Sequence, residues 1–196
     1  MELDLVKYKY TQSWFINSEI RFNLLKFISL DKQHNILEIG CFEGLSSSCF
    51  SDNLLNHSKS TMDCVDPFIF SGTNEQITTL NVTSNTENTF RYNIKKSKSF
   101  NKITFHKLKS DDFFLNNTKK FNLIYIDGCH EPENIIRDMN SSFNFLEVNG
   151  IMWMDDYLGG NNRSCLKAMN IFLNNNIGKY QIIHKNYQLA IKKLYD

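Results

Sequence analysis

The stretch Asn35-Ile36-Leu37-Glu38-Ile39-Gly40-Cys41-Phe42-Glu43-Gly44-Leu45-Ser46-Ser47-Ser48 decides how this chain reads. An apolar run over residues 35–40 ends on a glycine and predicts a short buried strand. Gly40 and Gly44 let the backbone turn tightly and approach a ligand closely. A helix is expected over residues 46–55, with the free N–H groups of its first turn aimed back at the loop. Outward from this unit the alternation repeats. Residues 61–65, 103–108, 121–126 and 151–154 read as strands. Residues 14–29, 86–96 and 164–174 carry apolar positions at helical spacing. Another helix opens at Pro132, carries Ile135, Ile136, Met139, Phe143 and Leu146, and is punctuated by Gly150. Residues 179–184 and 187–194, split by Lys185-Asn186, read as a terminal hairpin. Strands alternating with helices imply an α/β fold, a mostly parallel sheet covered on both faces, with the hairpin adding an antiparallel strand.

The composition narrows the classes. The chain has 196 residues, 41% hydrophobic and 13% aromatic, enough for one domain with a real core and too apolar for disorder. A net charge of +1 gives no basic stripe for nucleic acid. No apolar run approaches the roughly 18 residues of a membrane span, and the charged start MELDLVKYKY shows no signal peptide. The five cysteines include no Cys-x-x-Cys pair, so a reducing, cytoplasmic location is expected, without disulfides or zinc. The simplest organisation is a single domain, with residues 1–33 as an N-terminal helical cover and 34–196 as the α/β core.

Two loops carry the chemistry. Ligands of such sheets bind outside the carboxyl ends of the strands. The Gly40–Gly44 turn is therefore a candidate nucleotide-type site, and Asp66, at the end of the second strand, is placed to accept from ribose hydroxyls. The dinucleotide fingerprint G-x-G-x-x-G is absent because Phe42 holds its middle position, which counts against NAD or FAD. The second loop pair is Ile126-Asp127-Gly128-Cys129-His130 and Trp153-Met154-Asp155-Asp156-Tyr157. Asp155 and Asp156 follow Asp127 by 28 and 29 positions, about one right-handed strand–helix–strand crossover. The two strands should be neighbours about 4.8 Å apart, bringing three carboxylates to one pocket edge. Clustered anions repel, and a hard divalent cation such as Mg²⁺ offsets that cost. Alternatively, Asp155-Asp156 caps a turn and Asp127 faces the cofactor.

The first loop resembles motif I of the class I S-adenosylmethionine-dependent methyltransferases, in the E-I-G-x-x-x-G-x-S form of small-molecule O-methyltransferases. The resemblance implies a Rossmann-like, seven-stranded, mostly parallel sheet with a C-terminal antiparallel hairpin. It also implies that Glu38, Gly40, Phe42, Gly44 and Ser46 border the methionine moiety and that Asp66 binds the ribose. Ser110 and Asp111 would border the adenine, or else open a helix as an ordinary N-cap. The pattern I-D-G-x-H…D-D-Y is similar to the macrocin- and novobiocin-type sugar O-methyltransferases, a divalent-metal-dependent branch. This implies Asp127, Asp155 and Asp156 as metal ligands, with Asp127 also in the catalytic set, and a small-molecule hydroxyl as acceptor, a sugar or glycoside. His130 is the implied general base, a neutral imidazole suited to taking a hydroxyl proton; the alternative is a loop hydrogen bond. Some relatives place an acid two residues after the first metal ligand, where this chain has Cys129. Relatives often self-associate, so both a monomer and a homo-oligomer stay open. A hydroxylase of the cephalosporin type and a non-catalytic binding module on the same fold stay open as rivals.

Overall fold

The computed structural model describes residues 1–69, 85–159 and 163–196. The polar sequence over residues 70–84, and Gly160, Asn161 and Asn162 after the Asp155-Asp156 pair, lie outside the described residues. Seven strands form one sheet: β1 (Asn35–Ile39), β2 (Thr61–Val65), β3 (Ile103–His106), β4 (Phe121–Ile126), β5 (Leu146–Met154), β6 (Tyr180–Lys185) and β7 (Leu189–Lys193). Their order is β3-β2-β1-β4-β5-β7-β6. The pairs β1–β2, β1–β4, β2–β3 and β4–β5 are parallel, and β7 lies antiparallel between β5 and β6. The expected hairpin is thus present, and its second strand is the one that docks on the parallel sheet. The order reverses at β1, between β2 and β4, and opens the crevice in which such sheets bind ligands.

Side chains alternate across each strand with period two. Leu37, Ile124 and Met152 face one side and pack with Phe113, Met139 and Phe172. These come from α4 (Ser110–Asn116), α5 (Pro132–Phe145) and α6 (Ser164–Asn175). Ile36, Tyr125 and Trp153 face the other side and pack with Phe50, Phe90 and Ile20. These come from α2 (Leu45–Leu54), α3 (Thr86–Lys96) and the N-terminal α1 (Glu19–Asn23). Burial of each such side chain contributes roughly 1.5–3 kcal/mol. None of the described helices is long and apolar enough to cross a membrane, and none of the five cysteines is in a disulfide.

Two elements depart from the sequence reading. The single helix expected over residues 14–29 is broken into a 3₁₀ turn at Trp14–Asn17, the five-residue α1 and a 3₁₀ turn at Leu24–Lys26. Ser18 between them is extended, and the Ile20 N–H bonds the Gln188 side chain instead of a helix carbonyl. Tertiary partners override helical spacing here. Leu146, expected at the end of the helix from Pro132, instead begins β5, because the chain passes from α5 into the strand without a loop. Gly150 lies within β5, after Asn149 at φ 67°, where a Cβ would meet the Glu147 carbonyl at 2.8 Å.

Candidate active site

The first loop leaves β1 at Gly40, whose N–H donates to the Val65 carbonyl at 3.0 Å. Gly40 and Gly44 have φ values of 82° and 78°, in the left-handed region that favours glycine. At Gly44 the Phe90 ring would lie 2.8 Å from an added Cβ, so the turn is packed as well as twisted. Phe42 is left-handed too, at φ 46°, and its ring lies 5.2 Å from that of the half-exposed Trp14. Glu43 ties the N-terminal segment down by accepting from the Thr11 N–H at 2.6 Å and the Thr11 hydroxyl at 3.0 Å.

Glu38 is fully buried under this loop, where its two oxygens accept from the Ser46 and Ser47 hydroxyls. Burial pushes its carboxyl up to about 7, against the pull of those hydroxyls. Glu38 and the Ser46 side chain therefore shape the start of α2 from behind, while the first-turn N–H groups of α2, lacking carbonyl partners four residues back, are what the helix offers a ligand. Asp66, at the end of β2, accepts from the N–H groups of Cys41 at 2.8 Å, Phe42 at 3.0 Å and Phe68 at 2.7 Å. It fixes the loop, and burial pushes its carboxyl up.

The structure spreads the next pair of expected cofactor residues over two roles. Lys109, and not Ser110, is the N-cap of α4, and Ser110 donates to Asp138 on α5. Burial pushes the Asp138 carboxyl up to about 6. Asp111 is half exposed and pairs with Arg137 at 3.3 Å.

The second loop pair meets as its spacing requires. Ile126 on β4 pairs with Met154 on β5, and each following aspartate continues the ladder: the Asp127 N–H donates to the Ile39 carbonyl at 2.8 Å, and the Asp155 N–H to the Ile126 carbonyl at 2.9 Å. Asp127, His130 and Asp156 each present a donor atom, all within 4.8 Å of one another. The grouping differs in detail from the three expected aspartates, because Asp155 is turned toward the protein. Its Oδ2 accepts from the Tyr125 hydroxyl at 2.7 Å, and its Oδ1 from Gln188 Nε2 at 2.7 Å and the Asp156 N–H at 2.8 Å. Tyr125 also reaches Asp127 at 3.3 Å. Asp156, left-handed at φ 52°, accepts from the Tyr187 hydroxyl and pairs with His130 Nε2 at 3.0 Å.

The electrostatics follow from this crowding. Burial, then the neighbouring Asp155 and Asp156 charges, pushes the Asp127 carboxyl well above the usual carboxylate range. Burial and Asp156 push Asp155 up as well. For Asp156 burial pulls upward, but the bonds from His130 and Tyr187 outweigh it and hold the carboxyl below its ordinary value. The hydrogen bond to Asp156 in turn raises the half-exposed His130 imidazole, against the effect of burial. Between these groups lies a pocket of about 20 Å³, lined by Asp127, His130, Asp155 and Asp156 above Met139 and Cys165. That is room for a single water-sized species, and carboxylate oxygens are the donors a hard cation takes. The donor set therefore fits a divalent ion.

Sequence reasoning missed Gln188, Tyr125 and Tyr187 as parts of this site. Tyr125, near the end of β4, precedes Asp127 by two positions, a signal that was available; Gln188 and Tyr187 reach the site only because β7 docks on β5.

Comparison with known proteins agrees with this architecture. A family model described as a methyltransferase domain matches residues 37–157. No curated protein matches the chain by sequence. Among solved structures, a putative rRNA methylase from Clostridium thermocellum superposes with a TM-score of 0.69 at 12% identity, covering 96% of this chain and 99% of its own. The O-methyltransferase NovP gives 0.67 at 15% identity, covering 90% and 78%. The O-methyltransferase TomG from Streptomyces achromogenes, solved in complex with SAM, gives 0.65 at 13%, also covering 90% and 78%. At these identities the likeness is one of fold. With the family model spanning both site loops and more than half of its length, the chain belongs to the methyltransferase-domain family.

Proposed function

We propose that the protein is an S-adenosylmethionine-dependent O-methyltransferase acting, with a divalent cation, on a hydroxyl of a small molecule, a sugar or glycoside being the expected class. One observation carries the reading: the glycine loop after β1 and the carboxylate cluster after β4 and β5 are in direct backbone contact, so a methyl donor on one adjoins an acceptor on the other. The solved structures of TomG and NovP, both named O-methyltransferases, support it.

S-adenosylmethionine supplies an activated methyl on its sulfonium sulfur, and a bound divalent cation lowers the pKa of an acceptor hydroxyl and orients it. The protein's own contribution is placement. Gly40 and Gly44 clear the space over the loop, the start of α2 offers N–H groups, and Asp66 holds the loop for a ribose. Asp127 and Asp156, with Asp155 beside them, would hold the cation. His130 takes the acceptor proton, and Asp156 stabilises the imidazolium that forms. Alignment of donor and acceptor accounts for most of the acceleration such a site can give.

Isothermal titration tests the reading. S-adenosylmethionine and its demethylated product should both bind at micromolar concentration, and Asp66→Asn should weaken both by about tenfold, the loss of one charge-assisted hydrogen-bonding group. Absence of binding by the wild-type protein overturns it.

A further inference from the structure

Gln188 is 1% exposed and every polar atom of its side chain is engaged. Its Oε1 accepts from the Trp153 indole N–H at 2.8 Å and the Ile20 backbone N–H at 2.8 Å. Its Nε2 donates to the Ser18 hydroxyl at 2.7 Å and to Asp155 Oδ1 at 2.7 Å. The two groups on Oε1 can only donate, so the amide cannot be flipped without setting donors against donors. Nε2 is thereby committed to Asp155. The backbone joins the same knot, the Gln188 N–H donating to Glu19 at 2.9 Å.

A carboxylate has about four lone-pair positions. Gln188, the Asp156 N–H and Tyr125 occupy three of those on Asp155. What Asp155 can still offer to the pocket is one contact, and its direction is set by the amide behind it. Gln188 is itself anchored by Ser18 and Ile20, so the N-terminal segment is wired to the carboxylate cluster.

The geometry points to Gln188 as a positioning residue for Asp155, through which the docked N-terminal segment sets the divalent-cation affinity of the site. This rests on the metal-assisted reading above. Partners standing behind a metal ligand are typically worth 10–100-fold in affinity.

The test is Mn²⁺ binding to the full chain, followed by the electron paramagnetic resonance of free and bound ion. Gln188→Glu keeps an acceptor for Trp153 and Ile20 and replaces the donor shared by Asp155 and Ser18 with an acceptor, toward which the Ser18 hydroxyl can turn to donate whereas the Asp155 carboxylate cannot. Its Mn²⁺ dissociation constant is expected to rise at least tenfold with unchanged circular dichroism. In an Asp155→Asn background the same substitution should add little, because the residue it acts through is gone. Should the buried charge of Q188E unfold the chain, Gln188→Met, uncharged and of similar length, gives the same readout. Wild-type affinity in the folded variant, or an undiminished effect in the D155N background, overturns the role of Gln188 and leaves the metal reading standing. No Mn²⁺ bound by the wild-type protein at millimolar concentration overturns both.

Discussion

Gly40 and Asp127 touch so closely that a Cβ on Gly40 would lie 2.0 Å from the Asp127 carbonyl oxygen. The expected methyl-donor loop and the first expected metal ligand are thus locked together through backbone, with no side chain between them. Gly40→Ala is expected to fail on two counts, the clash and a left-handed φ of 82°. The cost should exceed about 2 kcal/mol and lower the melting temperature by at least ~4 °C. A calorimetric midpoint equal to that of the wild type would contradict this account of the contact.

Removal of the cation should reveal how much of the reaction depends on it. Chelation with EDTA is expected to abolish methyl transfer, and Asp156→Asn or Asp127→Asn to lower kcat by about 100-fold or more, the equivalent of several kcal/mol of lost charge stabilisation. Both aspartates stand at the pocket, so neither variant should lose its fold. Full turnover in the presence of chelator, measured by transfer of labelled methyl, would show that the carboxylates serve another purpose.

His130 predicts a pH dependence. Its neutral form accepts the proton; in the cation-free protein the bond to Asp156 raises the imidazole, and a cation on Asp156 offsets that pull. Turnover should therefore rise with pH through the imidazole limb and then level off. His130→Gln should lose that limb and about 10²–10⁴-fold in rate. Retention of the limb in the variant would assign it to another group.

Glu38 predicts the opposite sign for stability. Its carboxyl has an ordinary value of 4.5 and is pushed to about 7 in the fold. Between these values the folded chain keeps a proton that the unfolded chain has lost. The contribution of Glu38 is therefore fully present below about 4.5 and is lost as pH rises through about 7, an effect of roughly 3 kcal/mol. Asp138, raised to about 6, works in the same direction. Melting temperature should fall as pH rises from 5 to 7.5, and Glu38→Gln should make that slope shallower, the raised Asp127, Asp155 and Asp66 carboxyls adding to what remains. An equal slope in the variant would mean that other groups carry it.

Much of this was legible in the sequence because it is local. Short apolar runs, two glycines after the first of them and a 28-residue interval between aspartates each report on chain geometry within one strand–turn–helix unit. They sufficed for the sheet, the two loops and the meeting of Asp127 with Asp155 and Asp156. The finer assignment of roles was not legible. Nothing in residues 35–48 says that Glu38 turns under the loop to hold Ser46 and Ser47, and nothing in residues 107–112 says that Ser110 turns to Asp138.

The sequence by itself determined the architecture and the strand ends at which chemistry gathers, since alternation and spacing are properties of a chain one element long. Only the tertiary structure decided which of the side chains converge. Asp155 is tied back by Tyr125 and Gln188, whereas Asp127, His130 and Asp156 converge. The physical reason is that hydrogen-bond saturation depends on groups from distant parts of the chain, here Ser18, Ile20 and Trp153 acting through Gln188. Their contact is created only when the N-terminal segment and β7 dock on the same end of the sheet.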